Sequence, residues 1–225
     1  MYLIINITQN CNFNCKHCLN NCPNYEEISL VDYKRIIDIL KNNNLKSITF
    51  TGGEPILHKN FRNLIRYTIK NNINFVIMSN AYLYEKYLFL LRYSPKFFNT
   101  IYFSLDGLQN NHDYIRRKGS YEKVMEAIDV FTNKNIKVKI NLLLTRINYR
   151  DLDRILLILS KKNIDEVHLA SVISNYKNKE LSLDITERKK VFQKIKEYEN
   201  KYDLRISATN SLYNYGGSYF CSTLD

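Results

Sequence analysis

The chain has 225 residues, of which 45% are hydrophobic and 24% charged, as expected for a globular protein with a substantial core in one large or two small domains. Its 33 basic and 22 acidic side chains give a formal net charge of +11, which favours acidic partners. The basic residues are spread out, with no run of five or six, so the charge does not favour a nucleic-acid partner.

Targeting signals are also missing from the sequence pattern. The first ten residues, MYLIINITQN, lack the charged start of a signal peptide, and no uncharged apolar stretch is long enough to span a bilayer. We therefore expect a protein without a membrane partner that stays in the cytoplasm, where thiols remain reduced.

Strand-like and helix-like segments alternate along the chain. Short apolar runs predict strands, and apolar residues at helical spacing predict helices. The predicted strands are residues 2–8, 47–51, 74–80, 100–107, 138–145 and 166–173, and the predicted helices are residues 30–43, 61–70, 84–93, 120–135, 152–162 and 185–202. The remaining residues, from about position 204, are less regular.

This alternation predicts an α/β fold. Six β-α units with strands that are apolar on both faces indicate a parallel sheet with crossover helices on its outer side. Periodicity leaves two arrangements open, an open doubly wound sheet and an incomplete barrel, and in both of them ligands bind at the carboxyl ends of the strands. Unusual residues follow the first four predicted strands, namely the cysteines, residues 52–54, residues 79–80 and residues 104–107. We therefore expect four segments to converge on one mouth.

Four of the five cysteines lie in one segment, QNCNFNCKHCLNNCPNYEE, residues 9–27. In reduced surroundings such a cluster favours a metal site over disulfides. Zinc usually takes four ligands, a set that His17 or Cys22 would complete. A [4Fe–4S] cluster also normally takes four thiolates, and with three it keeps one open iron, which Cys22 would instead close to make an electron carrier. We interpret Cys22 as a loop cysteine and His17 as a packing residue.

Three motifs in order resemble those of the radical S-adenosylmethionine (radical SAM) superfamily. The first is the spacing Cys11-x3-Cys15-x2-Cys18 directly after a strand. The second is TGGEP, 51–55, which is similar to the family's Gly-Gly-Glu motif. The third is SLDG, 104–107, with HDYIRRKG, 112–119, which is similar to the ribose- and carboxylate-contacting region of the peptide-modifying branch.

The resemblance covers about residues 2–206 and carries expectations for both fold and chemistry. It implies a partial (β/α)6 TIM-like barrel with parallel strands as a core domain, residues 1–206, followed by an irregular tail, residues 207–225. It also implies an enzyme in which Cys11, Cys15 and Cys18 hold a [4Fe–4S] cluster whose open iron binds S-adenosylmethionine (SAM). One electron, from a donor such as flavodoxin or ferredoxin, would cleave SAM to a 5′-deoxyadenosyl radical that abstracts hydrogen from a substrate.

The same motifs supply candidate SAM-binding residues. Glycines permit close ligand approach, and backbone carbonyls there with the Glu54 carboxylate can accept hydrogen bonds from the SAM ammonium. Ser104 is the candidate for the ribose hydroxyls, and Arg116, with Arg117 as its neighbour and alternative, for the SAM carboxylate. Asp106 can instead shape its turn by accepting hydrogen bonds from backbone amides. The full candidate set is Gly52, Gly53, Glu54, Pro55, Asn80, Ser104, Asp106 and Arg116, and Asn141 is a further residue expected to face the mouth.

The likeness of the third motif also carries an expectation about the substrate. SLDG followed by His-Asp and Arg resembles the SPASM or twitch branch, similar to anaerobic sulfatase maturases, which modifies ribosomally made peptides or sulfatases. NYGGSYFCSTLD, 214–225, resembles the entry to that extension, with Cys221 as its single cysteine. We expect a peptide or small-molecule substrate. Two alternatives stay open: an activase that makes a glycyl radical on a partner enzyme, and a non-enzymatic iron–sulfur or zinc protein.

Overall fold

The computed structural model of the chain describes residues 1–18, 26–172 and 179–209. In these residues strands and α-helices alternate. The strands are β1 (Tyr2–Thr8), β2 (Ser47–Gly52), β3 (Asn74–Ser79), β4 (Phe98–Ser104), β5 (Lys137–Leu144), β6 (Glu166–Ser171) and β7 (Ile206–Ala208). The α-helices are α1 (Leu30–Lys41), α2 (Phe61–Lys70), α3 (Gln109–Ile115), α4 (Ser120–Thr132), α5 (Leu152–Leu159) and α6 (Ile185–Tyr202).

All seven described strands form one parallel sheet in the order in which they occur in the chain. A doubly wound sheet would reverse its strand order at a switch point, and no such reversal occurs among these strands. Strands added in sequence, each followed by a crossover, build the wall of a barrel, and β1 and β7 are its two edges. The predicted α/β fold of partial-barrel type is therefore confirmed.

The helices pack on one face of the sheet. Ile48 and Phe50 of β2 are fully buried in a core that also contains Tyr33 of α1 and Phe61 of α2. Because successive strand residues point to opposite faces, the residues between them, such as Thr49, lie on the other face. We call that other face the inner face. Its side chains keep partial exposure on most strands, as in an open barrel lumen.

The elements that differ from the sequence-based prediction include residues 84–93, α3 and β7. Residues 84–93 form a 3-10 helix and not an α-helix, and its buried residues Tyr87 and Leu90 stand three apart, which matches the 3-10 repeat. α3 was not predicted, since QNNHDYI has no apolar stripe at helical spacing. The short strand β7 was also missed, and the predicted domain boundary at residue 206 falls inside it. The division into a core and a tail stays a prediction.

Within the described residues, no helix combines the length and the apolar character that a membrane crossing requires.

Candidate cofactor site at the carboxyl edge of the sheet

The cysteine loop leaves the carboxyl end of β1 and is anchored to the segment around α3. Cys11, Cys15 and Cys18 are half-buried and are not joined in disulfide bonds. The backbone N–H of Lys16 donates to the carbonyl of Ile115 at 2.9 Å. Cys22 lies outside the described residues, and its predicted place outside the cluster stays a prediction.

The thiols of Cys11 and Cys15 are protonated when no metal is bound. Burial raises the pKa of Cys11, and it raises the pKa of Cys15 to about 12 even though the Arg116 guanidinium opposes the change. The thiolate is the form that binds metal, so metal binding here must displace protons.

The donor set consists of thiols, which are the ligands of iron–sulfur clusters. Among the described residues, no group of three or more His, Cys, Asp or Glu side chains converges as one metal ion requires. Each cysteine of a four-iron cluster ligates its own iron atom, so the thiols stand farther apart than those around one zinc ion. Three partly exposed thiols within eight residues therefore fit a [4Fe–4S] cluster with one iron left open.

The Gly-Gly pair lets the end of β2 lie directly against the start of the cysteine loop. The N–H of Gly53 donates to the carbonyl of Thr8 at 2.6 Å, and that of Glu54 to the carbonyl of Asn10 at 2.8 Å. A Cβ on Gly52 would lie 2.3 Å from the Thr8 carbonyl oxygen, and one on Gly53 would lie 2.2 Å from that of Asn10. No side chain fits at either position, and Gly52 also has a φ of +144°.

Glu54 is fully buried, and its carboxylate is bound by protein donors. It accepts hydrogen bonds from Ser79 Oγ at 2.8 Å, from the N–H of Asn80 at 2.9 Å and from the Tyr87 hydroxyl. Burial raises the pKa of the Glu54 carboxyl, and these hydrogen bonds counteract the rise. The buried Pro55 follows and opens a 3-10 turn, Pro55–Leu57. Glu54 thus fixes the ends of β2 and β3 together, and its predicted contact with the SAM ammonium stays a prediction.

Asn80 connects the end of β3 to the cysteine loop. Its Nδ2 donates to Asn12 Oδ1 at 2.8 Å and lies 3.9 Å from Cys11 Sγ. Asn80 is buried beside the loop. The structure therefore brings this candidate residue into contact with a candidate cluster ligand.

Asp106 and Arg116 form a buried ion pair under the cysteine loop. Arg116 Nε lies 2.5 Å from Asp106 Oδ2, and the N–H of Leu143 on β5 donates to Asp106 Oδ1 at 3.0 Å. Burial opposes ionisation, but the Arg116 guanidinium holds the pKa of the Asp106 carboxyl below its usual range. His17 Nδ1 lies 3.7 Å from the same carboxylate, which agrees with a packing position for His17.

Arg117 is exposed, whereas its neighbour Arg116 is largely buried; the sequence alone did not distinguish the two arginines. Arg117 Nη1 donates to the carbonyl of Asn12 at 3.0 Å, and its guanidinium lies 4.5 Å from the ring centre of Tyr82. Phe13 packs edge-on against the same ring at 5.4 Å. The predicted roles of Ser104, half-buried at the end of β4, and of Arg116 toward SAM stay predictions.

Sequence reasoning missed three residues that build this site. Tyr87 binds Glu54 from 33 residues away, and Asn148 donates to the Asp106 carbonyl from 42 residues away at 2.8 Å. His112 Nδ1 accepts from the N–H of Asp106 at 3.0 Å. His112 lies in the quoted HDYIRRKG segment, so its presence was visible, but nothing local signals Tyr87 or Asn148.

Comparison with protein families and sequence relatives gives a consistent result. A family model described as the Radical SAM superfamily matches residues 5–159. The S-adenosylmethionine-dependent nucleotide dehydratase of Selenomonas ruminantium is 29% identical over 165 residues, covering 64% of this chain and 56% of the relative. The GTP 3',8-cyclase of Syntrophomonas wolfei subsp. wolfei is 31% identical over 154 residues, covering 64% of this chain and 47% of the relative. The chain thus spans about half the length of these relatives.

Solved structures share the fold at low sequence identity. Streptococcus suis SuiB bound to S-adenosylmethionine superimposes with a TM-score of 0.79 and 19% identity, over 92% of this chain and 50% of SuiB. Native anSMEcpe with bound AdoMet and Cp18Cys peptide gives a TM-score of 0.76 and 19% identity, over 92% of this chain and 62% of that protein.

Proposed function

The chain belongs to the radical SAM superfamily, and from this membership we propose that it cleaves SAM reductively and abstracts hydrogen from a peptide substrate. Members of this superfamily and the named relatives are enzymes, and the family uses a [4Fe–4S] cluster and SAM. The observation that carries the proposal is the convergence of the three loop thiols with the Gly-Gly segment and Asn80 at one edge of the sheet.

The proposed division of labour follows the contacts of the site. The bound cofactors supply the electron and, after SAM cleavage, the 5′-deoxyadenosyl radical. Cys11, Cys15 and Cys18 hold the cluster, and Gly52 and Gly53 let the end of β2 lie against the loop that carries these cysteines.

The remaining candidate residues orient the cofactors and exclude water. Asn80 positions the loop at Cys11, and the Asp106–Arg116 pair supports the loop from below. Ser104 remains the proposed partner of the ribose. Arg116 remains the proposed partner of the SAM carboxylate, reached by the part of its guanidinium that is not bonded to Asp106.

Two observations support a peptide substrate. One SuiB structure holds the precursor peptide SuiA, and one anSMEcpe structure holds the Cp18Cys peptide. The net charge of +11 also suits an acidic leader peptide. The proposal includes a cytoplasmic location, where thiols stay reduced, and a flavodoxin or ferredoxin as electron donor.

A nucleotide substrate is the second candidate. The specific observation in its favour is the similarity in sequence to the nucleotide dehydratase and the GTP cyclase, at 29% and 31% identity. To decide between the two substrate classes, peptides and nucleotides are added separately, and the true substrate should raise the rate of 5′-deoxyadenosine formation.

The test uses the full chain, purified and reconstituted without oxygen. We expect about four irons per chain and 5′-deoxyadenosine when SAM and dithionite are added. Replacing Cys15 by alanine should abolish both, whereas the matched variant Cys22→Ala should keep both. Zinc without iron would contradict the proposal. Loss of the cluster in Cys22→Ala would indicate the electron-carrier alternative, and co-purification with a large oxygen-sensitive enzyme would favour an activase.

A further inference from the structure

A row of polar side chains crosses the inner face of the sheet, from the carboxyl end of β4 through the middle of β5 and β6 to β7. The strand register pairs Ser104 with Asn141, Asn141 with His168, and His168 with Ser207. All four are partly exposed. Ser104 is the proposed ribose contact, so the row runs from the SAM side of the barrel across β5 and β6 to β7.

A hydrogen-bonded chain fixes the imidazole of His168 in this row. His168 Nδ1 lies 2.8 Å from Ser207 Oγ. Ser207 Oγ donates to Glu166 Oε1, and Glu166 Oε2 accepts from Lys139 Nζ at 2.7 Å. Burial raises the pKa of the Glu166 carboxyl, but the hydrogen bonds from Lys139 and Ser207 outweigh this effect and hold the pKa below its usual range. Glu166 is therefore a carboxylate, which accepts hydrogen bonds and has no proton to donate.

This chain sets the tautomer of His168. The single hydroxyl proton of Ser207 is used in the bond to Glu166, so Ser207 Oγ must accept the proton of His168 Nδ1. In a neutral imidazole the other nitrogen, Nε2, then carries a lone pair. Burial lowers the pKa of His168, and Lys139 adds to the lowering while Glu166 opposes it, so the neutral form prevails at neutral pH.

The cations beside the row, Lys137, Lys139 and Arg205, are each paired with a carboxylate. The ammonium of Lys139 is paired with Glu166 and lies 3.8 Å from Asp165 Oδ2. Arg205 Nε, at the start of β7, lies 3.9 Å from Glu166 Oε2. Val167 and Leu169, on either side of His168, are buried in the helix-facing core, so His168 itself points to the inner face. A phosphate group would meet no unpaired cation in this row, whereas a neutral N–H or O–H donor would meet the lone pair of His168.

We propose that His168, positioned by Ser207 and Glu166, accepts a hydrogen bond from a neutral N–H or O–H group of the substrate inside the barrel. A peptide amide or a hydroxyl-bearing side chain supplies such a group. The inference rests on the proposed function, and it deepens that function by assigning a substrate-facing residue and the chemistry it selects. Ser207 and Glu166 act as positioning residues.

The first test measures the tautomer and needs no substrate. In the full reconstituted chain with 15N-labelled histidine, two-bond 1H–15N correlations should show His168 protonated at Nδ1 and unprotonated at Nε2. Ser207→Ala should weaken that preference, and Ser207→Thr should preserve it because the hydroxyl remains. Ser160→Ala, at a partly exposed position in another element, should leave it unchanged. A proton on Nε2 in the wild type, or an unchanged spectrum in Ser207→Ala, would overturn the inference.

The second test asks what reaches His168. Diethyl pyrocarbonate modifies unprotonated imidazole nitrogens, and peptide mass spectrometry separates His168 from His17, His58 and His112. We expect a pool of short peptides bearing serine, threonine, cysteine or tyrosine to slow modification of His168 at least threefold, and GTP to have no effect. Protection by GTP alone, or by neither probe, would refute the substrate class. Labelling does not depend on SAM cleavage, so failure to form 5′-deoxyadenosine would count against the proposed function alone.

Discussion

At the residue scale, the site requires that Gly52 and Gly53 have no side chain. Gly53 brings the end of β2 into direct hydrogen-bonding contact with the residues before Cys11. The neighbouring oxygen belongs to the backbone, so it cannot move aside as a flexible side chain would. The position of the cysteine loop is therefore tied to the absence of a side chain at Gly53.

We predict that Gly53→Ala loses the cluster while the fold persists. The new Cβ would lie 2.2 Å from the Asn10 carbonyl oxygen, so the loop must move or the chain must carry a strain of about 2 kcal/mol. Iron content after reconstitution should fall at least twofold, with an unchanged far-UV circular dichroism spectrum. The control is Gly119→Asn, where nothing lies within 4 Å and asparagine tolerates the φ of +78°. Equal iron contents in the two variants would contradict the prediction.

His112 adds a second residue-scale effect, a dependence of stability on pH. It is fully buried, and burial, with help from Arg116, lowers the pKa of His112 to about 4. The unfolded chain, with a histidine pKa of about 6.5, binds more protons than the folded chain between these two values. The contribution of His112 to the free energy of unfolding is therefore fully present above pH 6.5 and is lost as the pH falls toward 4.

We therefore predict a loss of about 2 kcal/mol in the free energy of unfolding from His112 between pH 7 and pH 5. Urea unfolding of the metal-free chain at both pH values measures the total loss, to which His17 also contributes. In His112→Gln the loss should be smaller by that amount. An identical loss in wild type and variant would show that His112 does not stay neutral in the folded chain.

At the element scale, α6 is capped at its start and hydrogen-bonded to β7 near its end. Asp184 and Glu187 form a capping box at the start of this helix. Near its end, Glu199 Oε1 accepts from the N–H of Ile206, the first residue of β7, at 3.1 Å. Because β7 contains Ser207, a well-ordered α6 helps to fix the position of Ser207 in the polar row of the inner face.

Asp184→Ala should destabilise the chain by about 1 kcal/mol, because it removes the acceptor for the N–H of Glu187. Urea unfolding measures the change. Glu197→Ala, at an exposed position in the same helix, should change stability by less than about 0.5 kcal/mol. If the two variants behaved alike, the capping box would not stabilise α6.

At the scale of the whole molecule, the net charge of +11 opposes compaction. Most ion pairs in the described residues have at least one exposed partner, and pairs with both partners exposed contribute about 0–1 kcal/mol each. Salt weakens both the general repulsion and the individual attractions. The excess of positive charge makes the repulsion the larger of the two effects.

We predict that sodium chloride raises the melting temperature between 0.02 and 0.3 M. Each exchange of lysine for glutamate lowers the net charge by two units, so the double variant Lys190→Glu and Lys194→Glu has a formal charge of +7 in place of +11. The melting temperature of this variant should rise less with salt. Differential scanning calorimetry at several salt concentrations measures both slopes. A melting temperature that falls with salt in the wild type would show that attractive pairs dominate.

Local pattern alone determined much of this protein. The alternation of apolar runs and helical stripes predicted α6 with its observed bounds and the β-α order of the sheet, because each depends on residues close together in the chain. The spacing of Cys11, Cys15 and Cys18 and the Gly-Gly pair likewise marked the candidate site, since both lie in single loops.

Only the tertiary structure decided which groups meet. The strand order is that of a barrel and not of a doubly wound sheet. Packing pairs Arg116 with Asp106, places Arg117 at an exposed position beside Asn12, and brings Tyr87 to Glu54 from 33 residues away. The tertiary structure also aligns His168 with Ser207 across β6 and β7. Such contacts depend on strand register and on the packing of segments that are distant in the chain, so a local sequence pattern does not predict them.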